Sequence, residues 1–149
     1  NRLELCALLH DIGKISISDA ILNNPGEHTD EELEILKDHP QIGADIASRI
    51  PQMAACANGI LHHHEQYDGS GYPDGLSGEA IPPESRIIAI ADAFVNMTCE
   101  RPESGRLSLG QAIQELKRNS GKQFDPHLVE LFISTFERSV TGARKKARR

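Results

Sequence analysis

The sequence has no tryptophan and, in 149 residues, only two tyrosines and four phenylalanines, so aliphatic side chains must fill any core it builds. Cysteine is equally scarce. Cys6, Cys56 and Cys99 form no C-x-x-C pair, and an odd number makes a poor disulfide framework, which points to the reducing cytoplasm. No apolar run approaches the ~18 to 20 residues that cross a bilayer, and no signal-peptide pattern opens the chain. There is no G-x-S-x-G elbow, P-loop or H-E-x-x-H helix, which leaves serine-hydrolase, nucleoside-triphosphatase and zincin readings without support. Positive charge is in deficit as well. At a formal net charge of −6, general attraction to DNA or anionic lipid has little basis, and the basic end at residues 144–149 reads as a solvated extension.

Sustained apolar/polar alternation of strand length is also missing, and the segments that remain have helical signals, so the fold class is all-α. A first helix is expected over residues 3–12, closed by Gly13, with a helical turn around Asp19 to Leu22. Leu3, Leu5, Ala7, Leu8 and Leu9 read like the middle of a buried helix, so a segment upstream of Asn1 is expected. Thr29 and Glu32 make a capping box for a helix through Leu33 to Asp38, and Pro40 suits the first turn of the next, with Ile42, Ile46 and Ile50 spaced by four. Residues 53–66 read as another helix and 68–79, with four glycines, as a loop. A central helix over 84–99 shows an apolar face of Ile87, Ala91, Phe94 and Thr98 flanked by Ile88 and Val95. Ser108 with Gln111 opens the next helix, and Asp125-Pro126 opens the last. One domain is expected over residues 1–139, followed by a basic tail over 140–149.

Three features carry chemistry. His10-Asp11 ends an apolar helix, where a buried aspartate needs a cation or donor to compensate it; alone, the pair also reads as a dipole-stabilised histidine beside a surface aspartate. Lys14 follows at positions that let it face the same side. In His62-His63-His64, three helical residues sweep ~200°, so two adjacent imidazoles can meet one ion; His63 and His64 are the pair expected inside, with His62 outside the shell. Asp92 sits among apolar neighbours and wants a partner, whether a metal or Arg86 or Arg101. With His39, these residues supply four imidazoles and two carboxylates, a set that suits a dinuclear iron, manganese or zinc centre. Two ions ~3.5 to 4 Å apart can lower the pKa of a water and neutralise charge on a leaving oxygen, which is the chemistry of phosphoester hydrolysis.

The motifs His10-Asp11-Ile12-Gly13-Lys14, His39-Pro40-Gln41-Ile42-Gly43, the run HHEQYDGSGYPDG from His63 to Gly75, and Arg86 to Ala93 resemble those of the HD-GYP family, from about Leu3 to about Phe136. The resemblance implies an HD-domain helical bundle with a glycine-rich GYP loop, and a metal-dependent phosphodiesterase opening cyclic di-GMP to pGpG or GMP. It implies that Asp11 bridges two divalent ions, iron or manganese first and zinc, nickel or magnesium after them. His10 and Asp92 would hold one ion, and His39, His63 and His64 the other. Lys14 would touch the scissile phosphate, and Gly69, Gly71, Tyr72 and Pro73 would shape the substrate site. That loop is also expected to offer a surface to diguanylate cyclase domains, with a receiver or other sensory module upstream.

The sequence departs from the family pattern in two places. A histidine ligand expected on a preceding helix has no counterpart in the nine residues before His10, and Val95, Glu103 and Ser104 stand where the family commonly has an aspartate, a tyrosine and a cation. Arg101 remains as a phosphate contact. A binding or protein-docking module without hydrolysis, or a hydrolase of another nucleotide phosphoester, are the rival readings.

Overall fold

Thr29 begins the first clearly capped helix: its hydroxyl accepts from the Glu32 amide and the Glu32 carboxylate accepts from the Thr29 amide, satisfying donors that a helix start leaves open. In a computed structural model, which describes residues 2–99 and 106–146, this helix is one of eight among the described residues. They are α1 (Arg2–Leu9), α2 (Asp19–Leu22), α3 (Asp30–Lys37), α4 (His39–Ser48), α5 (Ala57–Leu61), α6 (Pro83–Thr98), α7 (Leu109–Arg118) and α8 (Pro126–Lys146). No strand forms among the described residues, only a bridge between Ser120 and Phe124. The all-α reading holds.

Two apolar clusters share α6 as their common wall. In one, Ile88 of α6 meets Cys6, Ala47, Cys56 and Ile60 from α1, α4 and the α5 region. In the other, Ile90 and Phe94 meet Ala112, Leu116, Phe124, Val129 and Ile133 from α7, α8 and the turn between them. Phe132 and Phe136 of α8 lie edge-on to Phe94, each with centroids 5.1 Å away. Ser108 and Gln111 form the expected capping box on α7. Asp125 caps α8 by accepting from the amides of His127 and Leu128.

Four expectations need correction. α1 stops at Leu9 rather than residue 12, and the chain tightens into a 3₁₀ turn over Ile12–Ser16. It is also less buried than expected: Cys6 is enclosed, but Leu8 is 78% exposed. The helix expected over 53–66 is a 3₁₀ turn at Ala54–Cys56 followed by five-residue α5, so His62, His63 and His64 lie beyond a helix end. The inward face of α6 is Ser85, Ile88, Ile90 and Phe94, whereas Ile87 and Val95 face out; the helix is central and buries a broad arc between two clusters, but with different residues turned in. α8 runs on through Lys146.

Candidate metal centre

Three helix ends deliver the histidines in the same way. The last turn of a helix leaves carbonyls without amide partners, and here an imidazole three residues on supplies one. His10 Nδ1 donates to Ala7 O, His39 Nδ1 to Leu36 O and His63 Nδ1 to Ile60 O, each at 2.6 Å. A carbonyl can only accept, so each Nδ1 carries a proton, and in the neutral ring this leaves the lone pair on Nε2. This also explains why α1 and α5 end early, since the rings take up the carbonyls that a further helical turn would use.

The Nε2 atoms converge. That of His39 lies 3.3 Å from His63 Nε2 and 3.2 Å from His64 Nε2, and Asp11 Oδ1 lies 3.3 Å from His39 Nε2 and 3.9 Å from His63 Nε2. The other Asp11 oxygen turns the opposite way, 3.4 Å from His10 Nε2 and 2.6 Å from Lys14 Nζ. Asp92 Oδ1 completes that side, 3.7 Å from His10 Nε2. The structure therefore brings together His10, Asp11, His39, His63, His64 and Asp92, with Lys14 at the edge. Arg101 lies outside the described residues, as do Glu103 and Ser104. Arg86 is not the partner of Asp92, because it pairs with Asp125 at 2.7 Å.

Such convergence asks for a shared cation. Lone pairs facing one another at 3.3 Å repel unless a proton or metal lies between them, and His10 Nε2 is buried with no hydrogen-bond partner. Ion–donor bonds of about 2.0–2.1 Å put neighbouring donors roughly 2.9–3.4 Å apart, the range most of these pairs occupy. Imidazole and carboxylate together suit iron, manganese and zinc. The donor set fits a divalent metal.

Electrostatics prepare it. Burial, then repulsion from adjoining imidazoles, pulls His63 down to about 3 and His64 to about 4, so both are neutral at neutral pH and available as ligands. Burial works to raise Asp11, but its contacts with His39 and Lys14 and the charge of His10 outweigh it, and the carboxyl stays ionised well below its usual range. His10 is raised and Asp92 lowered, each chiefly by the other.

The glycine-rich loop is tied down beside this cluster. Glu65, 3% exposed, accepts the Asp74 amide with one oxygen (2.8 Å) and the Leu76 amide with the other (3.1 Å). His62 donates Nδ1 to Asn58 O and places Nε2 2.9 Å from Asp74 Oδ2, so it lies outside the metal cluster as expected, yet buried. Gly71 presses on the chain at Glu65 and Gln66: a Cβ there would meet Glu65 C at 2.6 Å. Gly69, at φ +85°, makes a turn that L side chains rarely adopt. Tyr72, followed by a cis peptide to Pro73, stacks on His64 with ring centroids 4.9 Å apart, while Pro73 itself is exposed. Burial, then the charge of Asp11, raises the Tyr72 phenol to about 12. Sequence reasoning missed the Glu65–His62–Asp74 clamp; a carboxylate directly after three histidines was the signal for it.

Comparison with known proteins fits this geometry. The sequence profile of the HD domain family matches residues 1–128. The chain is 44% identical over 135 residues to the cyclic di-GMP phosphodiesterase response regulator RpfG of Xanthomonas campestris, covering 88% of this chain and 35% of that protein. It is 42% identical over 146 residues to a cyclic di-GMP phosphodiesterase of Thermotoga maritima, covering 97% and 39% respectively. A crystal structure of a cyclic GMP-AMP specific phosphodiesterase of V. cholerae superimposes with a TM-score of 0.67 at 29% identity, over 91% of this chain and 38% of that one. The chain thus spans between a third and two fifths of the length of these relatives.

Proposed function

The chain belongs to the HD domain family, in its HD-GYP branch, and from that premise we propose that it is a metal-dependent phosphodiesterase of cyclic di-GMP, yielding pGpG or GMP. The observation that carries the reading is the meeting of three imidazole Nε2 atoms with one oxygen of Asp11, whose other oxygen faces His10. Asp11 would help hold both of two divalent ions, iron or manganese. His10 and Asp92 would serve one, and His39, His63 and His64 the other. Bound there, such ions supply Lewis acidity toward the phosphoryl oxygens and acidify a water.

The chain's own groups do the rest. Lys14, at the solvent edge of Asp11, offers an ammonium to a phosphate oxygen. Tyr72, stacked on His64, walls the site on the loop side, and the Glu65 and His62 bonds hold that wall in place. Arg101 is retained as a second phosphate contact. We place the domain in the cytoplasm, where the free thiols of Cys6 and Cys56 are stable, and downstream of a sensory module, with Gly69 to Pro73 as a docking surface for diguanylate cyclases. No helix of the described residues is long and apolar enough to cross a membrane.

The test combines elemental analysis with product separation after incubation with cyclic di-GMP and manganese or ferrous iron. Bound metal and linear products are expected from the wild type, and Asp11→Ala is expected to lose metal and lower turnover by more than about 100-fold. Intact dinucleotide after incubation with metal-loaded wild type, or full turnover in Asp11→Ala, would overturn the proposal.

A further inference from the structure

Beside the metal cluster the structure holds a cleft of about 240 Å³ that mixes cluster, apolar and carboxamide groups. His63, His64 and Asp92 line it from the cluster. From there Ala89, Asp92, Ala93 and Asn96 follow at i, i+3, i+4 and i+7 along α6, so one helix face forms the floor. Ala89 and Ala93 keep bulky side chains off that floor, Asp92 and Asn96 being its polar half, and Tyr72 lines the cleft as an aromatic wall. Gln66 and Gln123 line it as well. They are brought together by backbone bonds from the Tyr67 amide to Gln123 O (3.2 Å) and from the Asp68 amide to Lys122 O (2.8 Å). Among the described residues, neither glutamine side chain makes a hydrogen bond. The charged groups of the cleft are the metal-cluster residues and Glu65, both of whose oxygens are already bonded to loop amides.

We infer that this cleft seats one purine base of the substrate, read by the carboxamides of Gln66 and Gln123, and that the site accepts guanine and adenine alike. The inference rests on the cyclic-dinucleotide reading above and deepens it. A volume of 240 Å³ falls below the roughly 300–1,000 Å³ of pockets that enclose a whole drug-sized ligand, so it holds one nucleoside and not the full ring. The two small alanines and the aromatic wall suit the face of a base, and such stacking tolerates either purine. Its edge then points at two carboxamides, each offering both a donor and an acceptor. A carboxamide pairs with adenine at N6 and N7, and can equally meet the N1–H and O6 of guanine. An arginine, the side chain that selects guanine through O6 and N7, does not line the cleft among the described residues. With neutral two-sided readers and no charged selector, discrimination between the purines has no physical source here. Asn96 is differently engaged, since its Nδ2 donates to Asp92 Oδ2 at 2.8 Å.

The test uses isothermal titration of the metal-loaded protein with guanosine 5′-monophosphate, adenosine 5′-monophosphate and ribose 5-phosphate. Both nucleotides are expected to bind at least about tenfold more tightly than the sugar phosphate, and within about threefold of each other. In the double variant Gln66→Leu, Gln123→Leu the base-dependent gain is expected to shrink by about tenfold, two hydrogen bonds having been removed. A nucleotide that binds no better than ribose 5-phosphate, an unchanged gain in the double variant, or a preference above tenfold for one purine would overturn the inference. Parallel assays with cyclic di-GMP and 3′3′-cyclic GMP-AMP separate the two levels. Hydrolysis without a base-dependent gain sinks the base cleft alone, whereas the gain without hydrolysis sinks the phosphodiesterase reading alone.

Discussion

Replacing Gly13 with alanine should damage the metal centre without touching a ligand. Gly13 is buried in the 3₁₀ turn after Asp11, packed on the first turn of α4. A Cβ built there would collide with the His39 carbonyl oxygen and lie 2.6 Å from the Gly43 amide nitrogen, against 3.4 Å or more for ordinary contact, so turn and helix must part by at least about 0.8 Å. Both obstacles are backbone and cannot swing aside. Overpacking of this kind costs about 1–3 kcal/mol, which for a chain of this length lowers the melting temperature by roughly 2–12 °C. The same displacement acts on the site, because Asp11 rides on the turn and His39 on the helix, and their ligand atoms are 3.3 Å apart. Metal–ligand distances hold within about 0.2 Å, so a shift several times larger should weaken metal binding by at least about tenfold. The assay pairs differential scanning calorimetry with manganese titration. Wild-type metal affinity in a folded Gly13→Ala protein would refute the argument that this contact sets the distance between Asp11 and His39.

Two further outcomes follow from the loop and from the imidazoles. Glu65→Gln puts an amide donor where one of two backbone N–H groups now finds an acceptor, which should cost about 1–3 kcal/mol and open residues 68–79 to limited proteolysis; an unchanged cleavage pattern would count against the clamp. In the metal-free protein, His63 at about 3 and His64 at about 4 lie below the 6.5 of unfolded histidine, so between pH 6.5 and those values the unfolded chain binds more protons and stability falls on acidification. Asp11 and Asp92, both lowered, add their loss only below about pH 4. His10 runs the other way: its raised value contributes stability below pH 6.5 that is lost as pH rises through its folded pKa. Two imidazoles outweigh one, so urea unfolding should show a net loss of about 2–4 kcal/mol between pH 7 and pH 5. A flat profile would mean that the histidines are not buried as described.

The candidate ligand set was legible in the sequence because metal chemistry restricts residue types, and the structure brings His10, Asp11, His39, His63, His64 and Asp92 near one another. Capping boxes at Thr29 and Ser108 were legible for a similar reason, each being a local exchange of hydrogen bonds that needs only four residues. The loop's glycines told of a turn but not of its anchor, since the Glu65 bonds to Asp74 and Leu76 depend on where residues nine and eleven positions on come to rest. Apolar periodicity misjudged α6, because a helix wedged between two clusters buries Ile88 on one and Ile90 and Phe94 on the other. It also drew α1 and α5 too long. Nothing in their propensities ends them at Leu9 and Leu61; the side chains that follow do.

The mistaken helix ends bear on the chemistry itself. Had His10 and His63 continued their helices, each Nδ1 would have found no carbonyl to bond, and the ring could have turned either nitrogen toward the site. Placed just past the last turn, each instead takes the carbonyl three residues back, an acceptor that the helix end leaves open in any case. One bond thereby ends the helix, fixes the ring's rotation and selects the tautomer that presents Nε2. His39 does the same from α3 while itself beginning α4, which is why a single residue can mark both a helix boundary and the middle of the cluster. The centre is held by the helix termini. Its ligand directions should therefore be fixed before any metal arrives, and loading should leave the positions of these rings nearly unchanged.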